Sequence, residues 1–197
     1  ESGNLRSVSK ALEKAGVQPT LTSDPAMVTD ADAVVLPGVG SGSAAMAALH
    51  KRKLVEPLRM FAAAGKPLLC VCLGLQLLMD DTEEGNAPCL GIVRGKTKKL
   101  PDGLKVPHMG WNMVALRGGH PLFRDIPDES YFYFVHSYYA QPADWALAAG
   151  ITQYGLSFCS ILVQDNVVAT QFHPEKSGRL GLKVYQNFVD YARKGAA

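Results

Sequence analysis

A thiol, an imidazole and a carboxylate together can supply a nucleophile, its base and the group that orients the base, and this chain offers one of each in suitable surroundings. Cys72 closes the apolar run of Lys66-Pro-Leu-Leu-Cys-Val-Cys-Leu-Gly-Leu-Gln76, where a buried strand breaks at a cysteine and passes straight into a helix. That is the layout of a nucleophile elbow: the turn strains the cysteine backbone, lifts the sulfur clear of the sheet and points it at the amides of the helix start. Those amides favour the thiolate, which is the reactive form. Leu73 places a backbone amide beside the sulfur, where an oxyanion needs a donor, and Gly74 lets the helix start approach the turn closely. Cys70 is the rival nucleophile, but it lies inside the strand with no glycine after it and reads as a packing residue.

The other two groups come from Val167-Val-Ala-Thr-Gln-Phe-His-Pro-Glu175, a strand expected to end in His173 with Glu175 two positions on. Residues i and i+2 of an extended chain project to one side, so Glu175 can accept a hydrogen bond from the imidazole and decide which ring nitrogen faces the sulfur. Pro37-Gly-Val-Gly40 follows another strand, and its two glycines can take positive φ and expose amides at the sheet edge. A phosphate-binding loop would need Gly-x-Gly-x-x-Gly opening a helix, or a terminal Gly-Lys-Ser/Thr, and neither is present. Once the triad is granted, the loop reads as an oxyanion loop facing Cys72. Of the five histidines, His50, His108 and His120 sit in helix-end or loop contexts that suggest solvated or capping roles, whereas His136 ends an aromatic strand and can line a pocket.

These groups need a sheet to hold them. The order is a helix from Leu5 to Ala15, strands at Gln18–Thr22 and Ala33–Leu36, a helix from Ser43 to Ala64, a strand at Pro67–Val71 and a helix from Leu73 to Met79. Alternation of buried β-branched strands with helices indicates a parallel sheet covered on both faces. Residues 80–127 are richer in Gly, Pro and charge. Strands follow at Tyr131–Val135, Ala146–Ile151, Ser160–Gln164 and Val167–Gln171, with Asp165-Asn166 as a hairpin turn that marks an antiparallel extension. A last helix from Gly178 to Arg193 carries the stripe Leu180, Val184, Phe188, Tyr191. The fold class is α/β, with a mostly parallel central sheet, helices on both faces and an antiparallel addition. The 197 residues suit one domain, 1–197, and a first strand is expected ahead of Glu1.

Composition narrows the function classes. A net charge of +2 from scattered Lys and Arg gives no footing for nucleic acid, and the one basic cluster, Lys96-Thr-Lys-Lys99, reads as a solvated turn. No apolar run reaches the roughly 18 residues of a membrane span and no signal-peptide layout is visible, so a cytoplasmic setting is expected. The four cysteines are spaced as free thiols, and with the histidines dispersed no metal site is expected.

Gly-x-Cys-x-Gly-x-Gln with a distant His-Pro-Glu resembles the motif of the class I, or triad, glutamine amidotransferases, matched here by Cys72, Gly74, Gln76, His173, Pro174 and Glu175. Within that family, Gly3–Ser7, Leu36–Gly40, Pro107–Asn112, Tyr133–Tyr138 and Thr170–Ser177 resemble the glutaminase subunits of imidazole glycerol phosphate synthase, over nearly the whole chain. Cys70 stands where the family usually has glycine, and a small thiol is expected to leave the elbow intact. The resemblance implies a Cys72-His173-Glu175 triad, an oxyanion hole from Val39 and Leu73, and a glutamine pocket drawing on Gly38, Gly40, Gly74, Gln76, Glu84, His136, Ser137 and Tyr138. It implies no cofactor. It also implies a partner, since ammonia released into water is protonated and lost as a nucleophile. In the family that partner is a (β/α)8-barrel cyclase, forming a heterodimer that makes imidazole glycerol phosphate and aminoimidazole carboxamide ribotide in histidine biosynthesis. Pro107–Asn112, with its methionine and tryptophan, suits an interface anchor. Glutaminases serving anthranilate, aminodeoxychorismate, guanylate or pyridoxal phosphate synthesis, and a noncatalytic scaffold with a vestigial triad, remain as alternatives.

Overall fold

The computed structural model describes residues 2–195, with side chains from 5 to 194. Helix α1 (Ser2–Lys14) and helix α2 (Pro25–Asp30) precede strand β1 (Val34–Gly38), followed by α3 (Gly42–Lys51), α4 (Val55–Ala63), β2 (Leu68–Cys72) and α5 (Leu73–Leu77). Two short strands, β3 (Asp81–Thr82) and β4 (Ala87–Pro88), lead to β5 (Gly95–Lys99), β6 (His108–Leu116), β7 (Ser130–His136) and β8 (Tyr138–Pro142). Strands β9 (Ala148–Gln153), β10 (Ser157–Gln164) and β11 (Val167–Thr170) and helix α6 (Gly178–Gly195) complete it.

The main sheet runs β1-β2-β11-β10-β9-β6-β7. Its first three strands are mutually parallel and the remaining pairings are antiparallel. A smaller sheet, β4-β3-β5-β8, stands beside it. Strand β2 is buried along its whole length, and the pleat divides it: Leu69 and Val71 join α1 and α6 in one core, while Leu68 and Cys70 face α4 and α5 in another. Aromatic stacking of Phe132 on Phe172, with centroids 4.1 Å apart, ties β7 to the segment after β11. No helix among the described residues is long and apolar enough to cross a membrane.

Several expectations change. Gln18–Thr22 forms no strand; Leu21 is 69% exposed and the segment pairs with nothing in the sheet. The helix expected over Ser43–Ala64 is two helices, because Lys53 at φ 56° ends α3 in the left-handed conformation and Pro57 fits the first turn of α4, where no amide is needed. Lys96–Lys99 belongs to a strand, with Thr97 buried and its hydroxyl donating to the Gln76 carbonyl at 2.8 Å. The polar middle also holds β6, nine residues long, so His108 is a strand residue and is buried. The strand expected ahead of Glu1 and the chain ends of the 1–197 domain lie outside the described residues.

Candidate active site

Register brings the chemistry together. In the parallel pair Gly38 lies opposite Cys72, and on the other flank Thr170 lies opposite Val71. The loop after β1 and the segment after β11 therefore emerge on either side of the cysteine, at the carboxyl edge of the parallel strands, where α/β sheets place their ligands. Cys72 adopts φ 54°, ψ −104°, a conformation that is rare for a residue with a side chain and is the strain expected of an elbow. The close approach needed around it is made by glycines: a Cβ on Gly74 would collide with the Leu36 carbonyl, and one on Gly38 would lie 2.8 Å from the Leu73 Cβ. Cys70 is accommodated, fully buried in β2.

His173 donates from Nδ1 to Glu175 Oε1 at 2.7 Å, and both side chains are almost wholly buried. The geometry differs from the extended pair anticipated. β11 stops at Thr170, and Glu175 swings beneath the imidazole on a 3-10 turn, Pro174–Lys176, with His173 as its N-cap. The turn is clamped to β7: the His173 amide donates to the Tyr133 carbonyl at 2.9 Å, and Ser177 Oγ bridges the His173 carbonyl and the Tyr133 amide. Tyr185, from α6, donates to the other Glu175 oxygen at 3.3 Å. Burial works against a charged His173, but hydrogen bonds to Cys72 and Glu175 and the charges of both outweigh it, and the imidazole is pulled up to about 9. The remaining thiols go the other way: burial pushes Cys89 up to about 11, Cys159 up to about 12 and Cys70 higher still, so they persist as inert thiols.

Cys72 opens into a cavity of about 340 Å³, at the small end for a small-molecule site. Gly38, Val39 and Gly40 form one wall, Leu73 and Gln76 the start of α5, Glu84 the rim, and His136, Ser137 and Tyr138 the facing strand end. Glu84 accepts from the Gly42 amide at the start of α3, which fixes its carboxylate there. Of the expected site residues, Gly74 and Glu175 do not line the cavity; Gly74 acts by permitting close packing, and Glu175 lies behind His173. Among the described residues no group of three or more His, Cys, Asp or Glu could hold a metal ion.

Sequence reading missed Gln171, Lys176, Tyr185 and the His108–His136 pair. Gln171 is fully buried with its Nε2 3.6 Å from Cys72 Sγ. His136 Nδ1 donates to the Tyr138 carbonyl at 2.8 Å, which leaves its Nε2 to accept from His108 Nδ1, also at 2.8 Å, while Asn112 donates to His108 Nε2 at 3.2 Å. His108 is thus no loop histidine but half of a buried, neutral imidazole pair. His120 accepts from the Leu122 amide as a cap.

A sequence model described as "Glutamine amidotransferase class-I" matches residues 1–191. The chain belongs to this family. As a class I glutamine amidotransferase it is an enzyme. It is 51% identical over 191 residues to the imidazole glycerol phosphate synthase subunit HisH of Dehalococcoides mccartyi strain CBDB1, covering 96% of this chain and 93% of that one. The corresponding protein of Moorella thermoacetica is 48% identical, covering 97% and 91%. Among solved structures, one titled as a glutamine amidotransferase superposes with a TM-score of 0.76 at 16% identity, covering 97% of this chain and 95% of that chain. The structure of PurLQS from Thermotoga maritima gives 0.72 at 18% identity, covering 94% and 92%. Those two likenesses establish the fold.

Proposed function

We propose that this amidotransferase is the glutaminase subunit of imidazole glycerol phosphate synthase in histidine biosynthesis, working in the cytoplasm with Cys72, His173 and Glu175 as its catalytic triad. The observation that carries the triad is the strained Cys72 beside a His173 whose Nδ1 is held by buried Glu175 at 2.7 Å. Near-50% identity to curated HisH proteins over almost the full chain supports the pathway.

Glutamine's side-chain carboxamide lies against Cys72, whose thiolate attacks the carbonyl carbon; the oxyanion is met by the amides of Leu73 and Val39. His173 protonates the departing nitrogen and ammonia leaves a glutamyl thioester. Water, deprotonated by His173, then attacks the thioester and releases glutamate and the thiolate. Glu175 keeps the imidazole in one tautomer and stabilises its charged form. Gln76 commits both amide hydrogens to the Tyr138 carbonyl and Gln171, so its carbonyl oxygen is what it offers the substrate, while Glu84 supplies negative charge for glutamine's ammonium.

The ammonia goes to a (β/α)8-barrel cyclase in a heterodimer. Met109, Trp111 and Tyr131 are each more than half exposed on one face of the β6–β7 hairpin, and that face suits an apolar docking surface. Nucleotide bound in the cyclase favours the Gly38–Gly40 loop conformation that completes the oxyanion hole, a coupling between two sites. The test is glutamate release from glutamine by this chain alone, then with the barrel cyclase plus its nucleotide substrate. A large rise on addition is expected. No rise, with Cys72 still trapped by a glutamine-like electrophile, would move the triad to another amidotransferase complex.

A further inference from the structure

Triad geometry accounts for His173 and Glu175 but leaves a second polar side chain on the nucleophile's sulfur. Gln171 is 0% exposed, with Nε2 3.6 Å from Cys72 Sγ. Its amide orientation follows from the outside in. The Tyr138 carbonyl can only accept, and Gln76 Nε2 lies 2.9 Å from it, so Gln76 turns its NH₂ group that way. The same nitrogen is 3.2 Å from Gln171 Oε1. Gln171 must therefore accept from Gln76 with its oxygen and present its own NH₂ to the sulfur. The flipped amide would set two NH₂ groups against each other and aim a lone pair at a thiolate.

The sulfur's other neighbour has the opposite preference. The Val135 carbonyl, 3.8 Å from Sγ, can receive a hydrogen from a thiol and repels a thiolate. We propose that Gln171 is a catalytic residue of the glutaminase, a side-chain donor to Cys72 Sγ that, together with His173, selects the thiolate and holds it on line for attack. The N–H favours the anion before attack and again when the thioester breaks and the thiolate departs. This proposal rests on the glutaminase reading above. The titratable groups around the sulfur and its cavity are His173 with Glu175 behind it, His136, Tyr138, Glu84 and Lys176; Gln171→Met leaves this set as it is, whereas Gln171→Glu adds a carboxyl beside the sulfur.

Two variants separate donor from filler. Gln171→Glu keeps an acceptor for Gln76 but removes the donor; Gln171→Met keeps most of the volume with neither. In each, the pH dependence of Cys72 alkylation by iodoacetamide would be measured, together with glutamine-dependent and ammonia-dependent synthesis by the complex with the cyclase. The expected result is an alkylation midpoint raised by about one pH unit, more in the Glu variant, with glutamine turnover down about 10- to 100-fold and ammonia-dependent synthesis within about twofold of the parent. An unchanged alkylation profile in Gln171→Met, or parallel loss of both activities in that variant, overturns the proposal. A parent complex that releases no glutamate overturns the glutaminase reading itself, and is told apart because it is seen before any substitution at 171.

Discussion

Two histidine sites border the cavity, His173 and the pair of His136 with His108, and their surroundings shift them in opposite directions. His173 is pulled up to about 9, whereas burial pushes His108 down to about 4 and His136 down to about 3, the last helped by its two histidine neighbours. All three rings are nearly excluded from water. The difference is the partner. His136 faces a carbonyl and a neutral imidazole, which satisfy its hydrogen bonds without supplying charge. His173 faces a buried carboxylate and a thiol, so the protonated ring is the paired one. Burial alone makes a neutral histidine; burial beside the Cys72 sulfur and a carboxylate makes a proton carrier.

The sharpest way to break this contrast is Glu175→Gln, which keeps the shape but removes the charge and the tautomer control. Glutamine turnover is expected to fall about 10³- to 10⁴-fold in steady-state glutaminase assays, with ammonia-dependent synthesis by the complex preserved. Equal loss of both would mean that Glu175 acts in assembly.

The pH dependence of stability comes next, because the two sites give opposite limbs. His173 has a raised folded value, so the stability its partners confer is complete below about 6.5 and is lost as pH rises through about 9. His108 and His136 have lowered folded values, so their burial is without penalty above about 6.5, and stability falls as pH drops from there toward about 4 and about 3. Thermal melting should therefore be highest near neutrality, and Glu175→Gln, which leaves the contribution of Cys72 in place, should make the alkaline limb shallower without altering the acid one. A melting profile with an unaltered alkaline limb in that variant would contradict the assignment of His173.

Smaller effects sharpen the other side. His108→Phe leaves His136 Nε2 buried without a donor and should cost about 1–3 kcal/mol in denaturant unfolding, while removing one component of the acid limb. Smallest of all, Tyr185→Phe removes the 3.3 Å bond to Glu175 and should cost about 0.5–1.5 kcal/mol, lowering turnover only severalfold.

The parts of the site legible in the sequence are those whose cause is local. A strand-to-helix break at Cys72 requires its own turn and the glycine at 74, and both are visible within a few residues. His173 and Glu175 are also neighbours in sequence, although a turn rather than an extended strand brings them together. What could not be read depends on distant pairing. His108 looks like a loop residue after Pro107, and only the register of β6 on β7 sets it opposite His136. Gln171 is a polar residue in an apolar run until β11 pairs with β2 and turns it toward Cys72. Lys96 and Lys98 suggest a solvated turn because strand β5 keeps its charges outside and buries only Thr97. The division of α3 from α4 has one sign in the sequence, Pro57, which belongs in the first turn of a helix, whereas Lys53 gives no hint of its left-handed backbone.

Mass analysis of the protein after exposure to a glutamine-like electrophile, in complex with the cyclase and its nucleotide, tests the triad most directly. One adduct is expected, on Cys72, with Cys70, Cys89 and Cys159 unmodified, its formation slowed by excess glutamine and abolished in Cys72→Ser. An adduct on another cysteine, or labelling of Cys72 that glutamine does not slow, would contradict a glutaminase centred on this sulfur.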